Sequence, residues 1–328
     1  MKKYKKIFLS LVGAGVGISV VERSFMRKER QRDNVFPIEP LLMPEEVKHV
    51  RVPVSDGGEM HIVEYGQGPT LFFLHGVTLS LNMWVYQFKE LSANYRVVAM
   101  DTRGHGGSIA GTDGYTMERL SQDVLEVMDR MKLENCLVGG HSMGGMILLA
   151  LATNHLERLA AHAKGLALIG TTAGPLVDPI LQDRIASYSM PIAKRLFSWE
   201  QRNGFSLIPP GDIGYLIARY SFGRYPSYKE VELVRSLIGV MSPLAAWELF
   251  ETILYFDVHE LLANINIPSL VLSGSKDRMA SLHHSKVLAE KIPDAHLIIL
   301  PQAGHMLPLE RYKEFNEELS NFAQNVLV

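Results

Sequence analysis

The stretch Cys136-Leu137-Val138-Gly139-Gly140-His141-Ser142-Met143-Gly144-Gly145, followed by the apolar run Met146–Ala152, decides how the rest of the chain is read. Cys136–Val138 reads as a short buried strand and Met146–Ala152 as a helix. Between them a serine stands with glycines two places before and two after it. The Gly-x-Ser-x-Gly pattern alone is weak, since about 0.1 chance matches arise in a chain of this length when Gly and Ser each make up about 7%. Its position between strand and helix raises it. A strained turn there exposes the serine hydroxyl, small flanking residues let strand and helix approach, and the helix N-terminus offers N–H groups where negative charge develops.

A serine hydroxyl becomes a nucleophile at neutral pH only with a base beside it, and the base needs a carboxylate to orient it. Of the 12 histidines, His305 in Ala303-Gly304-His305 follows the predicted strand Leu297–Leu300 and precedes a terminal helix. Asp277, in Ser273-Gly274-Ser275-Lys276-Asp277, lies just past the predicted strand Ser269–Leu272. Ser142, Asp277 and His305 would all stand at carboxyl ends of parallel strands, where open α/β sheets place their sites. An oxyanion needs two donors. Met143 N–H follows the serine, and Val77 N–H, in the loop after Thr70–Phe73, is the second candidate.

Outward from these residues the pattern alternates. His49–Val54 and Met60–Tyr65 read as a hairpin about Asp56-Gly57-Gly58. Thr70–Leu74, Arg96–Met100 and Leu166–Ile169 read as buried strands, and Met117–Met131, Ser285–Lys291 and Leu309–Phe322 as helices. Such alternation implies right-handed crossovers and a mostly parallel sheet. Residues 173–262 interrupt it. They show no convincing strand, are cut by seven prolines and hold 13 of the 28 aromatics. We expect a helical cap whose apolar underside forms a pocket.

The ends of the charge distribution differ. Residues 1–32 carry nine Lys/Arg against two Glu, leaving an acidic remainder within a chain of net charge −2. The acidic body argues against a nucleic-acid partner, and the basic arm points to an anionic membrane surface or a targeting step. Ile7–Val21 is uncharged and, as a helix, about 22 Å long against a hydrocarbon core of roughly 30 Å. Three readings of residues 1–23 stay open: a membrane anchor, a cleaved signal for secretion, or a helix packed on the domain. Residues 24–46 read as linker.

The chain has 328 residues, 47% of them apolar and 21% charged, which excludes disordered, collagenous and coiled-coil classes. Its one cysteine, Cys136, excludes an intramolecular disulfide. His283 and His284 are adjacent but lack a third ligand spaced beside them, so no metal is assigned. Neither phosphate-binding glycine fingerprint occurs, and no cofactor is expected. His75, His105 and His141 read as structural or pocket-lining, and Asp101 as a tie for the Arg103-Gly104 turn.

Taken in order, Leu74-His75-Gly76, Asp101-Thr102-Arg103-Gly104-His105-Gly106, Gly140–Gly145, Gly274-Ser275-Lys276-Asp277 and Gly304-His305 resemble the capped α/β-hydrolases of the bacterial esterase, lipase and haloperoxidase-like group. The resemblance implies a mostly parallel eight-stranded sheet flanked by helices, with a core of residues 47–172 and 263–328 and a cap at 173–262. It implies Ser142 as nucleophile, Asp277 as acid, His305 as base, and Val77 and Met143 at the oxyanion hole. Relatives that open epoxides or remove halide carry Asp at the elbow, which Ser142 does not match. The expected activity is cleavage of an apolar small-molecule carboxylic ester through an acyl-enzyme. Carbon–carbon bond hydrolysis, perhydrolysis by the same triad, and a non-catalytic ligand receptor are the rivals.

Overall fold

In a computed structural model of the chain, the described residues are 41–176, 195, 212–238, 241 and 243–327. The anchor or signal segment and most of the linker lie outside them, as does part of the cap. Eight strands form one sheet: β1 (Lys48–Pro53), β2 (Glu59–Tyr65), β3 (Thr70–Leu74), β4 (Arg96–Asp101), β5 (Cys136–His141), β6 (Ala163–Ile169), β7 (Ser269–Gly274) and β8 (His296–Leu300). Their spatial order is β1-β2-β4-β3-β5-β6-β7-β8. β2 runs antiparallel to β1 and β4, and every other pairing is parallel.

The central strands are buried on both faces, which is why they read as unbroken apolar runs rather than alternating ones. One face is covered by α2 (Met117–Met131), α3 (Met143–Asn154), α4 (Leu156–His162) and α8 (Leu282–Lys291); the other by α1 (Val85–Leu91) and, at the C-terminal end, α9 (Leu307–Glu310) and α10 (Tyr312–Val326). Between β6 and β7 the described residues form α5 (Asp212–Tyr220), α6 (Tyr228–Leu237) and α7 (Pro243–Leu254), so this insertion is helical. No described helix is long and apolar enough to cross a membrane.

Local chemistry sets the helix ends. Thr116 accepts from Arg119 N–H at the start of α2, and Lys132 closes it in the left-handed region at φ 51°. Ser227 and Glu230 exchange backbone and side-chain bonds to start α6. The helix expected over Leu309–Phe322 is instead two, broken at Arg311 (φ −133°, ψ 44°). Continuous apolar spacing concealed that corner. α1 and α4, seven residues each, are too short to show a period. Strand β5 continues past Val138 through two glycines, because a Cβ on Gly139 would stand 2.8 Å from the Phe73 ring on β3.

A buried ion-pair cluster joins the first hairpin to α2. Arg103, whose side chain is wholly buried, donates to both oxygens of Asp56 (2.6 and 3.0 Å) and of Asp123 (2.7 and 2.9 Å). Arg119 adds a second cation against Asp123 and Glu126. Asp101 accepts from Leu81 N–H and Gly107 N–H, both at 2.8 Å, and so closes the loop that carries the Arg103-Gly104 turn, while the Arg103 side chain is held by the other two carboxylates. Removing one partner of a buried pair strands the other charge. Arg103→Met should therefore cost about 3–5 kcal/mol, read as a lower urea midpoint in equilibrium unfolding.

Candidate active site

Ser142 sits between the last residue of β5 and the first of α3, with φ 51° and ψ −116°. This is a region non-glycine residues rarely occupy, and it costs about 1–3 kcal/mol unless the surroundings fix it. They do. Ser142 N–H donates to Ile169 O (2.9 Å) at the end of β6, and Ser142 O accepts from Thr171 Oγ1 (2.7 Å), Gly145 N–H and Met146 N–H. The turn is possible only where side chains are missing. A Cβ on Gly140 would stand 2.4 Å from Gly144 O, and one on Gly144 would stand 2.5 Å from Leu74 O.

Asp277 and His305 meet. The loop after β7 brings Asp277 Oδ2 to 2.9 Å from His305 Nδ1, with both side chains almost wholly buried. Asp277 Oδ1 accepts from Met279 N–H (2.8 Å) and Ala280 N–H (3.0 Å), which fixes the carboxylate plane. The carboxylate is the acceptor, so His305 donates to it from Nδ1. His141, the residue before Ser142, donates from Nε2 to His305 O at 2.9 Å, and the two rings lie 4.7 Å apart. The serine turn and the His305 loop are thus tied directly. Burial and the neighbouring His305 hold the His141 pKa well below the usual histidine value, so it serves as a neutral donor.

The β3 loop completes the arrangement. Gly76 packs against the serine turn so closely that its Cβ would stand 2.9 Å from His141 Nδ1 and 3.1 Å from Ser142 Cβ. The Gly76–Val77 peptide is oriented through its carbonyl, which accepts from His75 Nδ1 (2.8 Å) and Leu79 N–H (3.2 Å). Thr102 N–H donates to His75 Nε2 (3.0 Å), which fixes that tautomer. One residue further on, Thr78 N–H donates to His105 Nε2 (3.2 Å). Burial, with His75 nearby, pushes the His105 pKa down to about 3, so the ring stays a neutral acceptor. Among the described residues Val77 N–H has no hydrogen-bond partner. Met143 lies at the first position of α3, whose N–H groups are the unpaired end of the helix.

Ser142, Asp277, His305, Val77 and Met143 therefore gather at the carboxyl edge of the sheet. His75, His105 and His141 support loops there, each buried and hydrogen-bonded. His283 and His284 lie elsewhere, His284 beside Thr172 Oγ1 at 3.1 Å, and no group of three potential metal ligands occurs among the described residues. Such a site can carry out acyl transfer: an oriented imidazole, a serine, and backbone donors for an oxyanion.

The chain belongs to the alpha/beta hydrolase fold family, which matches residues 69–312. It is similar to the "Putative carbamate hydrolase RutD" of Caulobacter sp. (strain K31), 29% identical over 273 residues that make up 80% of this chain and 94% of the relative. Among solved structures it resembles an esterase from Exiguobacterium antarcticum (TM-score 0.72, 23% identity, 84% of this chain and all of that one). It also resembles the enol-lactonase from Burkholderia xenovorans LB400 (TM-score 0.62, 25% identity, 84% of this chain and all of that one).

The serine turn makes a structural prediction independent of chemistry. Gly144→Ala drives a methyl into the Leu74 carbonyl, so it should destabilise by about 1–3 kcal/mol. A melting temperature equal to wild type by calorimetry would contradict the packing described.

Proposed function

We propose that the protein is a serine hydrolase that cleaves a carboxylic ester through an acyl-enzyme. The observation that carries this reading is the Asp277–His305 hydrogen bond standing beside a serine held in a strained strand-to-helix turn. His305 Nε2 takes the hydroxyl proton of Ser142 as Oγ attacks the carbonyl carbon. The tetrahedral oxyanion receives Val77 N–H and Met143 N–H. Collapse of the tetrahedral adduct breaks the ester C–O bond, and His305 returns the proton to the departing alcohol. Water, deprotonated by His305, then attacks the acyl-enzyme and releases the acid. Asp277 holds the imidazole tautomer and stabilises the imidazolium in both halves.

Esters, lactones and carbamates share an attacked carbonyl with a heteroatom leaving group, so the names of the relatives support carbonyl hydrolysis more broadly than any one substrate. An apolar acyl group is our reading of the aromatic-rich insertion, which we take as a cap at 173–262 over a core of 47–172 and 263–328. Residues 1–23 we take as a membrane tether, to be tested by fractionating cells that express the full chain.

Ser142→Ala should abolish turnover of p-nitrophenyl esters and labelling by a fluorophosphonate while leaving the melting temperature intact. Asp277→Asn should lower kcat about 10⁴-fold by releasing the tautomer. Undiminished turnover in Ser142→Ala would overturn the reading. A panel running from acetate to long acyl esters, with a lactone and a carbamate, should show kcat/KM rising beyond butyrate. A flat profile there removes the apolar preference alone.

A further inference from the structure

Among the described residues Glu310 bonds to no other side chain, yet it joins two loops that matter. Its Oε1 accepts Gly304 N–H at 2.8 Å, and its Oε2 accepts Gly223 N–H at 2.7 Å. Gly304 precedes His305; Gly223 lies in the helical insertion between α5 and α6. Around these bonds the two loops are pressed backbone to backbone. His305 N–H donates to Ser221 O (2.7 Å), Arg224 N–H donates to Gln302 O (3.3 Å), and a Cβ on Gly223 would stand 2.1 Å from Gln302 O. On its other side Gly304 meets the end of β7, where a Cβ on Gly274 would fall 2.2 Å from Gly304 O. Arg219 Nη1 donates to Gly223 O (2.9 Å), so this residue is gripped at its N–H by Glu310 and at its carbonyl by Arg219.

We infer that Glu310 is a positioning residue for His305: its ionised carboxylate sets the depth of the Gly304-His305 backbone by holding it against Gly223 of the insertion. This rests on the serine-hydrolase reading, in which His305 is the base. The geometry favours the carboxylate form, because each oxygen faces an N–H donor and a proton on either one weakens that bond. The groups facing Glu310 are Arg219 from α5, Glu230 from α6 and Arg311 at the start of α10. Burial, aided by Glu230 and opposed by the two N–H groups and Arg219, raises the Glu310 pKa to about 7.

The sign of the linkage is opposite for stability and for activity. A carboxyl whose folded pKa lies above its unfolded value makes the folded state more stable as pH falls through about 7 towards the unfolded value near 4.3. The clamp, in contrast, is complete only above that range. A merely structural Glu310 would move stability and leave the rate constants alone.

The test compares full-length wild type with Glu310→Gln on p-nitrophenyl acetate from pH 5 to 9, with melting temperatures measured across the same range. The amide keeps one acceptor oxygen and turns N–H against N–H at the other. We expect kcat on the pH plateau to fall about tenfold or more, since small misplacements of catalytic groups are costly, with KM shifted less than about threefold. The acid limb of log kcat should lose the step of about one log unit that protonation of Glu310 adds near pH 7. A plateau kcat within about twofold of wild type and an unchanged limb overturn the proposal. If Glu310→Gln does not fold, Glu310→Asp carries the same test: its charge is kept but its reach is one methylene shorter, and a wild-type kcat in that variant overturns the proposal. Fluorophosphonate labelling of wild type at Ser142 separates the two levels. With labelling present, an unaffected Glu310 variant removes only the role of Glu310, whereas absence of both labelling and ester turnover removes the serine-hydrolase reading and this inference with it.

Discussion

The constraint on which the structure turns is the backbone of Ser142. A residue with a side chain is held at positive φ where β5 becomes α3, and four glycines around it leave the room that a Cβ would take. Gly140 and Gly144 face each other across the turn, Gly145 abuts Thr171, and Gly76 closes the side facing the β3 loop. The strain is offset by four hydrogen bonds to the Ser142 peptide groups, one of them from the end of β6 and one from Thr171. The central sheet is therefore built around the serine turn, and the turn cannot relax without opening the contact between β3, β5 and β6.

Around that fixed point the loops are organised by groups that accept or donate a main-chain bond rather than by packing. Asp101 collects the amides of Leu81 and Gly107, and Asp277 those of Met279 and Ala280. His75 and His105 brace the peptides on either side of Val77, and His141 reaches the carbonyl of His305. Three of these groups are neutral imidazoles in deep burial, where a charge would be costly. Burial lowers the pKa of all three rings and so favours the neutral form, which offers one donor and one acceptor nitrogen.

Much of this was legible in the residues. The central strands β3 to β7 stand out because strands buried on both faces are short apolar runs bounded by turns, β1 and β2 because they alternate about a glycine turn, and Met117–Met131 because its period is long enough to see. Ser142, Asp277 and His305 are visible from their places after strands; the structure joins Asp277 to His305 directly and ties the serine turn to the His305 loop through His141. What escaped has physical causes. Arg103 pairs with Asp56 and Asp123 through contacts 47 and 20 residues apart, and no local spacing marks them. Glu310 and His141 act on backbone atoms, which every residue possesses, so nothing in the sequence identifies their partners. The corner at Arg311 and the glycine continuation of β5 are set by neighbours in space, Phe73 in the second case.

The helical insertion enters after Ile169 and returns at Ser269, at the ends of strands that are themselves hydrogen-bonded neighbours. Residues 170–268 are thus, to the core, a single long crossover. Its closure entropy grows only with the logarithm of its length, about 0.6 kcal/mol for each doubling, so replacing a crossover of a dozen residues by this one costs roughly 2 kcal/mol. At so small a thermodynamic penalty, ancestral chains could lengthen, shorten or exchange the insertion while the strand register stayed fixed. The strand order can then persist while the segment that spans it changes, and the chain shares its fold with structures at 23% and 25% identity.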